Sequence, residues 1–78
     1  VALPFDATNI AAIQTFINTV SSTLNSTWNT STFDFLVNNA GVGATIPITQ
    51  ASEQQFDELM NVHLKSVYFL TQQSLPIM

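Results

Sequence analysis

The feature that most limits the folds open to this chain is the apolar run Phe35-Leu36-Val37, which leads directly into Asn38-Asn39-Ala40-Gly41. An unbroken apolar run of strand-favouring residues is typical of a strand that is covered on both faces, as in a parallel sheet. Parallel strands are joined by crossover connections, usually helices. The run therefore predicts an α/β architecture with a polar loop, residues 38–51, at the carboxyl end of this strand.

A helix is predicted before the strand, because six apolar residues recur at steps of three and four and so share one face. They are Ile10, Ile13, Phe16, Ile17, Val20 and Leu24. Thr8 or Asn9 is expected to cap its start, and the polar segment 25–32 is expected to end it.

A second, longer helix is predicted from Ser52, since Ser52 with Gln55 forms a capping box, and it should end before Pro76. Its apolar side is expected to comprise Phe56, Leu59, Met60, His63, Val67 and Leu70. The segment 67–70 is apolar all round, which indicates burial on more than one side. With residues 1–5 as the end of a first strand, the predicted order is strand, helix, strand, loop, long helix.

Composition excludes several functions. The net charge is −4 and Lys65 is the only Lys or Arg, which argues against binding to nucleic acid or to anionic membranes. No cysteine is present, so no disulfide or thiolate metal site is expected, and no metal site is predicted. No signal-peptide pattern is visible, and a soluble, cytoplasmic protein is expected.

Gly41-Val42-Gly43 follows the predicted strand, as in a dinucleotide-binding fingerprint. That fingerprint needs a third Gly or Ala three positions after the second Gly, and Ile46 stands there. A Gly-x-Gly pair alone is weak evidence for that fingerprint, and a flexible loop is the favoured interpretation of it.

Three segments together closely resemble the short-chain dehydrogenase/reductase (SDR) family. They are Phe33-Asp-Phe-Leu-Val-Asn-Asn-Ala-Gly41, Phe56-Asp-Glu-Leu-Met-Asn-Val-His-Leu-Lys-Ser-Val-Tyr-Phe-Leu-Thr-Gln72 and Phe5-Asp-Ala-Thr8. The resemblance covers nearly the whole chain. It implies a partial Rossmann-type, doubly wound parallel sheet. Residues 1–78 would then be an internal part of one NAD(P)-binding Rossmann domain whose N- and C-terminal parts are missing.

The resemblance also implies an oxidoreductase that interconverts a small-molecule alcohol and a carbonyl by hydride transfer, with NAD or NADP as cofactor. Asp6 is expected to accept a hydrogen bond from the adenine amino group, and Asn38 to line the ribose. Ala40 and Gly41 would be small because the cofactor approaches their backbone. Alternatively, Asp6 caps the first helix, and one of the two asparagines is purely structural.

His63 stands where the family pattern usually has an Asn that supports a proton relay to the catalytic lysine. The resemblance therefore makes His63 the candidate catalytic residue of this chain, and a ring that packs in the core is the alternative. Lys65 and Tyr68 are not the family's Tyr-x-x-x-Lys pair, because their order and spacing differ from it. The chain alone is therefore expected to be inactive.

A second hypothesis assigns the chain a non-catalytic function. It would be a truncated piece or a pseudo-enzyme that acts only in assembly. Family members commonly pair the long helix across a dimer interface, and the apolar segment 67–70 fits that use. A homo-oligomer formed through this helix is expected.

Overall fold

The computed structural model describes residues 1–43 and 45–78, so Ala44, within the predicted loop, lies outside the described residues. The described part contains helix α1 (Ile13–Trp28), preceded by a 3₁₀ turn (Ile10–Ala12). It also contains a second helical rod made of α2 (Glu53–Met60), a π-helical turn (Asn61–Lys65), α3 (Ser66–Ser74) and a final 3₁₀ turn (Leu75–Ile77).

Helix α1 forms as its apolar stripe predicts. Ile13 and Ile17 are buried, Phe16, Val20 and Leu24 are half-buried, and the polar face is exposed. The helix ends at Asn29, whose φ of 52° is the left-handed conformation that terminates many helices. The expected side-chain cap from Thr8 or Asn9 is not formed: Asn9 makes no capping side-chain hydrogen bond, the Thr8 hydroxyl donates to Asp6, and the residue at the N-cap position of α1 is Ala12.

The start of α2 confirms the predicted capping box. Ser52 Oγ accepts a hydrogen bond from the Gln55 amide at 3.1 Å, and Gln55 Oε1 accepts one from the Ser52 amide at 2.8 Å. The two bonds satisfy amides that the helix itself leaves unpaired. Helix α3 ends at Ser74, two residues before Pro76, as predicted.

The predicted apolar side of the long helix is only partly correct. Phe56, Met60 and His63 are exposed, whereas the buried residues are Val62, Ser66 and Ser74. A π-helical turn accommodates one more residue than an α-helical turn, so it rotates the residues after it relative to those before it. In the segment 67–70, which was expected to be buried on more than one side, Tyr68 is 62% exposed and the other three residues are half-buried.

The predicted parallel sheet is wrong for this chain, because residues 1–5 and 33–40 contain no strand. Among the described residues, one backbone hydrogen bond joins these segments to another element, from the Phe33 amide to the Ile77 carbonyl at 3.0 Å. A strand exists only through pairing, and a two-stranded sheet is marginal without further strands or a covered face. Phe35 is 87% exposed and Val37 is 80% exposed, so these side chains are not covered as those of a buried parallel strand would be.

The core is small and lies where α1 packs against α3. The buried apolar residues in the described part are Ile13, Ile17 and Val62, of which Ile13 is fully buried. Phe5 packs on Phe16 with ring centroids 4.5 Å apart, which holds the first segment against α1. No helix in residues 1–43 and 45–78 has the length and apolar character needed to cross a membrane.

Candidate functional site

The predicted site residues lie on three elements. Asp6 precedes the turn at residues 7–8, Asn38, Ala40 and Gly41 lie on the unpaired segment after residue 37, and His63 lies on the π-helical turn. All five are exposed. The structure brings the His63 ring against Gly41. Asp6 is hydrogen-bonded to its near neighbour Thr8.

Two hydrogen bonds from Thr8 hold the carboxylate of Asp6. The Thr8 hydroxyl donates to Asp6 Oδ1 at 2.7 Å, and the Thr8 amide donates to the same oxygen at 2.9 Å. Both bonds favour the ionised carboxylate and so lower the pKa of Asp6 below its ordinary value. The bond from the hydroxyl has the larger effect and the bond from the amide the smaller one. Asp6 therefore fixes the local turn, and its carboxylate does not cap a helix.

Asn38 contacts the second helical rod. Its Nδ2 donates to Thr71 Oγ1 at a long 3.4 Å. Residues 37–40, together with Phe5 and the face of the rod around Val62 and Ser66, enclose a cavity of about 120 Å³. The segment that the resemblance assigns to the cofactor is thus attached to the helices, although it has no strand partner.

A larger open cleft of about 560 Å³, called here the loop cleft, lies beside this segment. Clefts of this size commonly hold small molecules. It is lined by Thr8, Val42, Gly43, Ile46, Gln55, Glu58, Leu59, Asn61 and Val62. Sequence reasoning missed Val42, Gln55, Glu58 and Asn61, because no local motif marks residues that meet only when the rod packs on the loop.

The loop cleft suits a neutral, hydrogen-bonding ligand. Glu58 is the only charged side chain in its lining, and the chain has a single Lys and no Arg. A diphosphate needs cationic side chains or helix amides. The described residues of this lining include no cationic side chain, and the amide of Gln55, in the first turn of α2, already donates to Ser52 Oγ. The lining offers amide, hydroxyl and carboxylate groups together with apolar surface.

The glycines of the loop differ in their surroundings. A Cβ placed on Gly43 would meet nothing within 4 Å, so the backbone is open to a ligand at that point. A Cβ placed on Gly41 would lie 2.9 Å from Cε1 of His63. No group of three or more His, Asp or Glu side chains that could hold a metal ion occurs within the described ranges 1–43 and 45–78.

The loop after residue 37 and the helical rod thus meet at an open cleft of about 560 Å³. The family model for short chain dehydrogenase matches residues 1–78, which is the whole length. The chain therefore belongs to the short-chain dehydrogenase family, an oxidoreductase family whose members generally use NAD(P).

Two curated proteins show similarity over 39 residues each, half of this chain. Sepiapterin reductase of Chlorobaculum tepidum is 51% identical, and the matched part is 16% of its length. The 2-dehydro-3-deoxy-D-gluconate 5-dehydrogenase of Dickeya dadantii is 44% identical, and the matched part is 15% of its length. The match thus spans about one-sixth of each relative.

Proposed function

We propose that this chain supplies the adenosine-binding part of an NAD(P)-dependent oxidoreductase that interconverts a small-molecule alcohol and a carbonyl by hydride transfer. The family match over residues 1–78 carries the proposal. The two relatives, a reductase and a dehydrogenase by name, support the same reaction class. When bound, the nicotinamide supplies the hydride chemistry.

Within this proposal the chain binds and orients the adenosine half of the cofactor. Asp6 Oδ1 is engaged by Thr8, so the other carboxylate oxygen, Oδ2, is the one that would accept from the adenine amino group. Asn38 would contact the ribose, and the exposed backbone at Ala40 and Gly41 would allow close approach. Thr8, which bonds to Asp6, and Val42, which follows Gly41, line the loop cleft, and this proximity supports adenine binding beside it.

The chain alone is proposed to lack catalytic activity. A general acid–base group must reach the reacting oxygen, and the chain's one Tyr and one Lys, Tyr68 and Lys65, occur in the opposite order to the family pair. Tyr68 lies edge-to-face on Phe69, with ring centroids 5.1 Å apart, on the rod surface. That position is not part of the loop-cleft lining.

Titration of the isotopically labelled chain with adenosine, and separately with ADP, tests the proposal by NMR. We expect adenosine to shift the signals of Asp6, Asn38, Ala40 and Gly41. ADP should bind no more tightly than adenosine, because the chain is acidic and its cleft lacks cations. Asp6→Asn should weaken adenosine binding, whereas Asp34→Asn, a matched change elsewhere, should not. Shifts confined to other residues would contradict the proposal.

A role in assembly is the second candidate, and one surface favours it. Leu64, Tyr68 and Leu75 form an exposed stripe along the rod, each 61–62% exposed. Residues spaced at such helical intervals form an apolar seam that a second copy would cover in a two-fold dimer. Tyr68→Lys should then lower the association constant, whereas Ile48→Lys, on an isolated residue that is 93% exposed, should not. Equal effects of the two changes would contradict this role.

A further inference from the structure

Trp28, at the end of α1, is the chain's only tryptophan, and 60% of it is exposed to solvent. Indole rings are mostly buried in folded proteins, so a ring this exposed is an uncommon surface feature. Trp28 also lines a mainly apolar hollow of about 120 Å³, which is smaller than an ordinary ligand pocket of about 300–1,000 Å³. A ligand at Trp28 would therefore lie on the exposed part of the ring.

Two side-chain amides accompany this ring. Asn25 lies three positions before Trp28 and four before Asn29, so it is one helical turn from both. Asn25 and Asn29 are both exposed. Each amide can donate and accept hydrogen bonds, so the end of α1 presents an aromatic surface together with two hydrogen-bonding groups.

Asn29 keeps a side chain where glycine is the usual residue. Within residues 1–43 and 45–78 it alone has a positive φ, 52°. Its backbone amide bonds to the carbonyls of Leu24 and Asn25 and so closes the helix. Glycine adopts this left-handed conformation without the steric cost that a side chain incurs. A side chain retained at such a position points to a use for its amide.

The surroundings of Trp28 in the sequence carry no charge. No Asp, Glu, Lys, Arg or His occurs in residues 7–33, and the exposed side chains of α1 before Trp28 are all amides and hydroxyls. An ionic ligand would find no opposite charge on this helix. Groups that both donate and accept hydrogen bonds suit a neutral ligand that does the same, which describes a ligand rich in hydroxyl groups.

We propose that Trp28, Asn25 and Asn29 form a binding site for a neutral saccharide. The C–H face of the sugar ring stacks on the indole, whose face is electron-rich, and the sugar hydroxyls bond to the two amides. A β-glucoside fits this site, because its ring hydroxyls are all equatorial and leave the C–H faces uncovered. The site shares no residue with the loop cleft or with the residues assigned to adenosine, so it does not depend on the proposed function.

The first test is a titration of the unaltered chain with methyl β-D-glucopyranoside, followed by tryptophan fluorescence. Because Trp28 is the only tryptophan, a saturable change in emission reports on this ring. We expect saturation in the millimolar range, as one aromatic surface with few hydrogen bonds allows. Sorbitol, an acyclic polyol, should have no such effect. No saturable change with the glucoside, or an equal change with sorbitol, would overturn the proposal.

The second test locates the bound sugar by NMR. The glucoside should shift the indole N–H signal of Trp28 and the side-chain amide signals of Asn25 and Asn29. Shifts confined to Asp6 and residues 38–41 would place the sugar on the segment assigned to adenosine and would exclude a site at Trp28. Failure of adenosine to bind the same chain would count against the proposed function alone.

The third test separates sugar binding from helix termination. Asn29→Gly suits the left-handed conformation and should keep or raise the thermal stability, yet it should weaken glucoside binding about 2- to 10-fold by removing one hydrogen-bonding group. Trp28→Ala should abolish the glucoside-induced shifts of Asn25. Asn18→Ala removes an exposed amide earlier on α1 and should leave the affinity unchanged.

Two results would contradict this site. Undiminished affinity in Asn29→Gly and Trp28→Ala would show that neither side chain contacts the sugar. Trp28 emission that changes with protein concentration but not with glucoside would assign the ring to a contact between copies of the chain, and the saccharide site would be excluded.

Discussion

Thr8 both fixes the turn at Asp6 and favours the ionised form of the Asp6 carboxylate. Thr8 is two positions away and gives its hydroxyl and its amide to a single carboxylate oxygen. Such short-range bonds are typical of Asp and Thr and need no tertiary partner. This part of the candidate site is therefore specified by three consecutive residues, 6–8, and it forms although the predicted sheet does not.

Lowering the pH should lower the stability of the folded chain, because Asp6 becomes protonated. Its pKa is lowered on folding, so its stabilising contribution is fully present above the unfolded-state pKa, about 4, and is lost as pH falls through the folded-state value. Thr8→Val removes the hydroxyl, the larger cause, and should raise the pKa of Asp6 towards its ordinary value. Carbon-13 NMR titration of the Asp6 carboxyl carbon measures this. Thr27→Val, a matched change on α1, should leave that titration unaltered.

Truncating a buried isoleucine should lower the free energy of unfolding far more than truncating an exposed one. Ile17 is 5% exposed and Ile48 is 93% exposed. Ile17→Ala should lower the free energy of unfolding by about 2–5 kcal/mol, which is enough to reduce helicity at 25 °C in so small a core. Ile48→Ala should be nearly neutral. Ellipticity at 222 nm across a urea series compares the two, and similar losses would show that the core described here is not the stabilising one.

The sequence predicts well those elements that depend on residues close together in the chain. The stripe of α1, the polar end at residue 29 and the Ser52 capping box all depend on residues within a few positions of one another, and each is found. The strands are not found, because pairing depends on partners far along the chain or outside it. The π-helical turn was also unforeseen, since nothing in Asn61–Lys65 breaks a helical pattern.

That turn explains why the site was only partly predictable. It presents His63 to the loop, and it turns the α3 residues so that Ser66 and Ser74 are buried where apolar residues were expected. Small side chains at these positions fit a close approach of α3 to α1. Asp6, Asn38, Ala40 and Gly41 were chosen from the resemblance, and their binding roles stay predictions. The meeting of Val42, Gly41 and His63 required the packed structure.

The capping box gives a prediction at the level of a single helix. Ser52→Ala removes the acceptor for the Gln55 amide and should lower stability by about 0.5–2 kcal/mol, with fraying of α2. Ser52→Asp should restore most of the loss, because it keeps an acceptor and adds a favourable charge at the helix start. Amide exchange of residues 53–56 measures the effect locally. Ser22→Ala, in the middle of α1, should leave that exchange unchanged.

The whole chain is extended for its size. Its radius of gyration is 15.2 Å and its dimensions are 52 × 19 × 18 Å, whereas a compact domain of this length has a radius of gyration of roughly 11–12 Å. It exposes 5830 Å², compared with about 4,700 Å² for a typical monomer of its mass. The exposed large apolar side chains include Phe35 and Val37 of the unpaired segment 33–37 and the stripe of Leu64, Tyr68 and Leu75.

The unpaired segment should therefore drive association at high concentration. Phe35 and Val37 are exposed together with backbone groups that no neighbouring strand satisfies, and such an edge is a template for pairing with another chain. We expect the weight-average sedimentation coefficient to rise with concentration. Phe35→Lys should flatten that rise, because a charge on an edge opposes pairing. Ile48→Lys adds the same charge at an equally exposed apolar residue outside the segment and should leave the rise intact. If both changes abolished it, general charge repulsion would be the cause; a coefficient independent of concentration would show that the segment is protected.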